Sequence, residues 1–183
     1  MNVWISRNWN TFTGLCLLAG LAWMLLIPSS APLQPATAPS SGFLPPPFSL
    51  PDANGKQISL DPFKDQIIVL NFWASWCEPC KQEMPALEKA YQTYATQGVV
   101  ILGINATLND QATSALRFSA AQGLSFPILL DENGTANQDY RIALLPTTFF
   151  IGRDGIIRKV VSGGMSEAFI FATIEELLQA EER

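Results

Sequence analysis

The chain has 183 residues, 48% of them apolar, which suffices for one well-buried domain plus an appendage and not for two full domains. Its net charge is −5 and its lysines and arginines are dispersed, so there is no basic stripe to displace counterions from nucleic acid. It contains no histidine, which excludes Ser-His-Asp and Cys-His catalysis and removes the usual copper ligand.

Trp9 to Ile27 carries no charge and, as a helix of about 1.5 Å per residue, would reach roughly 28 Å, close to the hydrocarbon thickness of a bilayer. Residues 1–28 are therefore expected to form a single membrane helix. A cleaved signal peptide is the alternative, with Ser29-Ser30-Ala31 or Ala36-Thr37-Ala38 as the small-residue site, but Pro32 follows the first directly and the second lies far beyond the apolar run. Arg7 precedes the segment and the next charge after it is Asp52, so the positive-inside bias places the N-terminus in the cytoplasm and the remainder outside the cell membrane. Cys16 falls within the span and reads as a small packing hydrophobe. From Pro28 to Pro47 the chain holds seven prolines with Ser, Ala and Thr and no charge, a composition that stays extended, so residues 29–45 are expected to be a tether and 46–183 the folded domain.

The domain opens on Phe48-Ser49-Leu50 and Gln57-Ile58-Ser59-Leu60, which flank Asp52-Ala53-Asn54-Gly55. The Asn-Gly pair tolerates positive φ and suits a hairpin. Next comes the apolar, β-branched run Ile67 to Trp73, expected as a buried strand, and then Cys77-Glu78-Pro79-Cys80 at the start of a helical pattern through Glu83, Leu87, Tyr91 and Tyr94. Two thiols three positions apart can close a reversible disulfide. At a helix N-terminus, unpaired N–H groups and the dipole favour a thiolate, making Cys77 the attacking thiol and Cys80 the resolving one. Half of a zinc site would need ligands the chain lacks, since Cys16 is its one further cysteine. A purely structural bridge over so short a loop would remove little chain entropy. No cofactor or metal is expected.

Pro85 inside this helix is expected to bend it and detach the first turn as a separate piece. Beyond it the pattern alternates: a strand over 99–105, a helix over 111–121 and a strand over 127–130. Strands over 147–151 and 156–161 then surround Arg153-Asp154-Gly155, and a helix opens at Ser166. Parallel units followed by an antiparallel hairpin and a last helix predict an α/β fold, a mixed sheet with helices on both faces. Leu145-Pro146-Thr147-Thr148 enters a strand. From the residues alone an ordinary trans proline at a strand start and a cis proline at a tight corner both remain open.

Phe72-Trp73-Ala74-Ser75-Trp76-Cys77 with Cys80, followed by Leu145-Pro146-Thr147-Thr148-Phe149, resembles thioredoxin. The longer run Trp76-Cys77-Glu78-Pro79-Cys80-Lys81-Gln82-Glu83-Met84-Pro85, the N-terminal anchor and the inserted αβ segment around Ile104 to Pro127 resemble, more narrowly, the membrane-tethered ResA/TlpA-type thiol-disulfide oxidoreductases. The resemblance runs from about Phe43 to the C-terminus and implies a thioredoxin-like sheet with a central αβ insertion. It also implies a cis Pro146 facing the disulfide, with Leu145 presenting its backbone to substrate in a groove with Trp76, Glu78 and Pro79.

Asn71 stands where thioredoxin keeps a buried aspartate, and an amide cannot take the proton of the resolving thiol. In ResA-type proteins a glutamate matching Glu83 lies close to the active site. Glu83, three residues beyond Cys80 and on its helical face, is therefore expected to be the base, with a raised pKa, whereas Glu88 serves as the example of a solvated helix charge. Glu78 and Glu83 disfavour a thiolate at Cys77, Lys81 and the helix N-terminus favour one, and no histidine lies between the thiols, so the dithiol is expected at the reducing end of the thioredoxin-to-DsbA range. The implied partners are protein substrates with disulfides, including apocytochrome c haem-site cysteines, and a membrane thiol-transfer reductase of the CcdA/DsbD type. Two other readings are a thioredoxin-fold peroxidase, for which Ala74-Ser75-Trp76-Cys77 lacks the Thr-x-x-Cys approach, and a binding module with idle thiols.

Overall fold

The structure is a computed structural model and describes residues 36–180; the expected membrane helix at 1–28 lies outside them. None of the described helices is long and apolar enough to cross a membrane. Inside the stretch read as a tether, Gly42 N–H donates to the Ile157 carbonyl at 2.8 Å and Ile157 N–H donates to Phe43 at 2.9 Å.

The hairpin forms with short arms, β1 (Leu50–Pro51) against β2 (Gln57–Ile58). Its turn is closed by Asp52, whose Oδ1 accepts from Asn54 N at 2.8 Å and Lys56 N at 2.9 Å, and Gly55 takes a φ of 79° that a side chain would resist. A five-stranded mixed sheet follows, in the order β5-β4-β3-β6-β7. Strands β3 (Ile67–Trp73), β4 (Val99–Asn105) and β5 (Ile128–Leu130) are parallel; β6 (Thr147–Ile151) and β7 (Ile157–Ser162) are antiparallel. The insertion supplies helix α2 (Ala112–Gln122) and β5, as expected.

All seven residues of β3 are buried, and their alternation separates two cores. Ile67, Val69 and Trp73 pack with Met84, Leu87 and Ala90 of α1 (Glu78–Tyr94), Ala115 of α2, and Ile170, Ile174 and Leu177 of α4 (Glu167–Ala180). Ile68, Leu70 and Phe72 point the other way, where Tyr140 meets Phe72 and Phe149 at ring distances of 5.0 and 5.1 Å. The long helices thus lie on one face. The other is covered by the hairpin, the chain from Pro46 to Phe48 and the five-residue α3 (Thr135–Asp139). Helix α3 was not anticipated. One turn is too short to show a period, and it is held by buried Asp131, whose carboxylate accepts from the N–H groups of Ala136 and Asn137.

Pro85 does not detach the first turn: α1 runs uninterrupted from Glu78 to Tyr94. Proline deletes one hydrogen bond, and the buried stripe on either side of it, Cys80, Glu83, Met84 and Leu87, keeps the two halves in one element.

Candidate active site

Strand β3 ends at Trp73, and Ala74 to Trp76 turn the chain into α1 with Cys77 as N-cap. Cys77 and Cys80 form a disulfide with an S–S distance of 2.05 Å and Cα atoms 5.3 Å apart. Both cysteines are buried, but not equally: Cys77 keeps 4% of its surface and Cys80 none, so the surface that the pair offers to a reagent belongs to Cys77. Cys80 N–H donates to Cys77 Sγ at 3.3 Å, and an amide so placed at a helix N-terminus favours the thiolate once the bond is reduced. Glu78 and Pro79 occupy the exposed first turn, where Glu78 pairs with Lys81 at 3.3 Å. That pair leaves little net charge beside Cys77.

Glu83 is 2% exposed on the inner face of α1. Its Oε1 accepts from Asn71 Nδ2 at 2.7 Å and its Oε2 from Met165 N at 2.9 Å. Burial pushes its pKa up to about 7, against the opposing pull of the Met165 and Asn71 hydrogen bonds. Asn71 Nδ2 also donates to Thr148 Oγ1 at 2.9 Å, while its Oδ1, fully buried, has no partner among the described residues. Glu88 does not behave as a solvated charge. It is 8% exposed and accepts from Ser125 N at 2.7 Å; burial pushes its pKa up, but the Ser125, Gln92 and Phe126 hydrogen bonds outweigh that and leave it lowered.

The Leu145–Pro146 peptide is cis. Pro146 is buried at the entry to β6 and its carbonyl accepts from Gly163 N at 2.8 Å; Leu145 packs partly buried against the cluster that holds both cysteines. A segment that sequence reasoning passed over completes the site. Gly163 bonds Pro146, a Cβ on Gly164 would stand 3.5 Å from Pro79 Cβ, and Met165 bonds Glu83, so three consecutive residues after β7 reach the proline, the dithiol turn and the buried carboxylate. The adjacent glycines ahead of the last helix were the one available signal. Trp76, 57% exposed, donates its indole N–H to the Asn109 carbonyl at 2.9 Å. A cavity of ≈520 Å³ lies among Phe48, Phe63, Ile68 and Ile151 at the opposite end of β3 and contains no thiol.

A Cys-x-x-Cys disulfide set at the N-terminus of a helix on a thioredoxin-like mixed sheet defines the class: a thiol-disulfide oxidoreductase. Residues 44–160 match the model of the AhpC/TSA family, and the chain belongs to that family. It is 39% identical over 131 residues to the thiol-disulfide oxidoreductase ResA of Bacillus subtilis, covering 72% of each chain, and 42% identical over 123 residues to ResA of Halalkalibacterium halodurans, covering 67% of this chain and 69% of that one. Among solved structures, a thiol:disulfide interchange protein of the thioredoxin family from Chlorobium tepidum superposes with a TM-score of 0.67 at 28% identity, over 81% of this chain and 99% of its own.

Proposed function

We propose that the chain reduces disulfides in exported proteins, held at the membrane by residues 1–28 with its folded domain on the extracytoplasmic side. The observation that carries this reading is the pairing of a buried resolving sulfur with a buried carboxyl on the same helix face, Cys80 and Glu83. The Cys77 thiolate attacks one sulfur of a client disulfide; a mixed disulfide forms and the client's other sulfur departs, taking up a proton. Cys80 then gives its proton to Glu83 and attacks Cys77 Sγ, and the client's second sulfur leaves as a thiolate that takes up the proton Glu83 accepted. The client gains two electrons and two protons, and the enzyme is left with the Cys77–Cys80 disulfide. Trp76, Glu78, Pro79, Leu145 and Pro146 form the groove in which the client lies.

Because extracytoplasmic compartments are oxidising, the dithiol needs a source of electrons, and a membrane thiol-transfer reductase of the CcdA/DsbD type fits that need. Haem-site cysteines of apocytochromes c are the proposed clients. Equilibration with glutathione or dithiothreitol buffers tests the direction: a potential near the thioredoxin value of about −270 mV is expected, and one above about −180 mV would contradict a reductant.

The AhpC/TSA match keeps a peroxide-reducing alternative in view. Peroxide consumption by the reduced protein distinguishes it, and none above the uncatalysed rate is expected.

A further inference from the structure

The paired strand ends place two loops side by side, since Trp73 of β3 and Asn105 of β4 are partners in register. The first loop, Ala74 to Trp76, leads into Cys77; the second, Ala106 to Gln111, leads into α2 of the insertion. Asp110 joins them. Its Oδ2 accepts from Ser75 N at 2.6 Å and from Asn105 Nδ2 at 2.9 Å, and its Oδ1 from Ser75 Oγ at 2.7 Å and Gln111 N at 2.8 Å. Four donors around one carboxylate suit an anion: burial pushes its pKa up, yet the Asn105, Ser75 and Gln111 hydrogen bonds leave it lowered. One residue earlier, the Asn109 carbonyl takes the Trp76 indole N–H, so the ring is fixed by its polar edge while more than half of the residue stays in solvent. An indole tied down in this way is an apolar surface already ordered, one residue from the attacking sulfur.

We infer that Asp110 is a positioning residue for disulfide exchange: by tying the inserted loop to Ser75 it holds Trp76 as a preformed apolar rest for the polypeptide that flanks the client's disulfide. The inference rests on Cys77 exchanging disulfides with a polypeptide, and the occupant follows from that chemistry. A client sulfur bonded to Cys77 brings its own neighbouring residues against Trp76. Ordering on binding a side chain left free in the unbound protein weakens association, so freeing the loop raises the half-saturating client concentration about three- to ten-fold and leaves the sulfur chemistry in place.

Single-turnover kinetics of the reduced full-length chain test this with two substrates, a disulfide-bonded peptide whose cysteines are flanked by leucine and phenylalanine, and hydroxyethyl disulfide, which has no chain to dock. Asp110→Ala is expected to raise half-saturation for the peptide by that factor with its limiting rate retained, and to leave the hydroxyethyl disulfide rate within about two-fold. In a Trp76→Ala background the same substitution is expected to add nothing further. Equal losses on both substrates, effects that add across the double mutant, or no change on the peptide would each overturn the inference. Should Asp110→Ala fail to fold, Ser75→Ala deletes a single donor and carries the same comparison, with a rise of about two- to three-fold expected and none contradicting. A wild-type chain inert towards both substrates would overturn the exchange chemistry and this inference with it, whereas a reactive wild type with an unaltered variant would overturn the inference alone.

Discussion

Asn71 and Glu83 meet at 2.7 Å between the centre of the sheet and the helix that carries the dithiol, so the amide holds the carboxylate buried on the helix face that also carries Cys80. Glu83→Gln removes the proposed proton acceptor while keeping its shape. The resolving step is expected to slow by about 10²-fold or more, and the mixed disulfide on Cys77 to accumulate. Acid-quenched time courses with a disulfide client would show this as an adduct that outlives the wild-type one, and an unchanged lifetime would remove Glu83 from the proton path. In the wild type the same step should gain its rate as pH rises through about 7, and the variant should lose that inflection.

The raised pKa of Glu83 also has a cost in stability. The folded carboxyl keeps its proton up to about pH 7 and the unfolded one releases it at the ordinary value of 4.5, so within that window the folded state binds more protons. Its contribution is full below 4.5 and is lost progressively as pH rises through about 7, a decline of about 3 kcal/mol. Urea midpoints of wild type and Glu83→Gln on either side of the window measure it: the wild type should fall further than the variant as pH rises. Parallel curves would place the titration elsewhere.

Asn71→Asp would set a second carboxyl against the first. Two carboxylates in hydrogen-bond contact cannot both ionise cheaply, so the pair should share a proton and show two separated apparent pKa values, the upper above about 7. Carboxyl stretching bands followed across a pH titration report this directly. A single titration at the ordinary carboxylate value would show the pair to be hydrated.

Much of this architecture is written locally. The β-branched run of β3, the Asn-Gly turn, the dithiol at a helix start and the parallel-then-antiparallel strand order each follow from neighbouring residues, and the structure has them. What could not be read locally is contact at a distance. Glu83 finds Asn71 twelve residues away and Met165 eighty-two away; Glu88, in sequence a surface charge like any other, is buried because Ser125 supplies two donors thirty-seven residues on. Helix α3 is invisible for a different reason, since one turn has no period, and Pro85 misleads because packing over the whole face of α1 outweighs one lost hydrogen bond.

Gly103, in the middle of β4, has no room for a side chain. A Cβ there would stand 3.0 Å from Ile128 Cδ1, 3.1 Å from Phe126 and 3.2 Å from Trp73 Nε1, all ring or methyl atoms of a packed core. Gly103→Ala is expected to destabilise the fold by about 1–3 kcal/mol, read as a lower urea midpoint at unchanged slope. An unchanged midpoint would mean that β4 and β5 separate more easily than their packing indicates.

The division of labour between the two sulfurs is tested most directly by trapping. Cys80→Ala leaves Cys77 without the proposed resolving partner, so incubation with a disulfide-bonded client should yield a stable covalent adduct that maps to Cys77 by mass spectrometry and is released by dithiothreitol. Cys77→Ala, which leaves only the buried sulfur, should yield none. Adducts on Cys80 in the second variant, or none on Cys77 in the first, would contradict an enzyme that opens its clients' disulfides through Cys77.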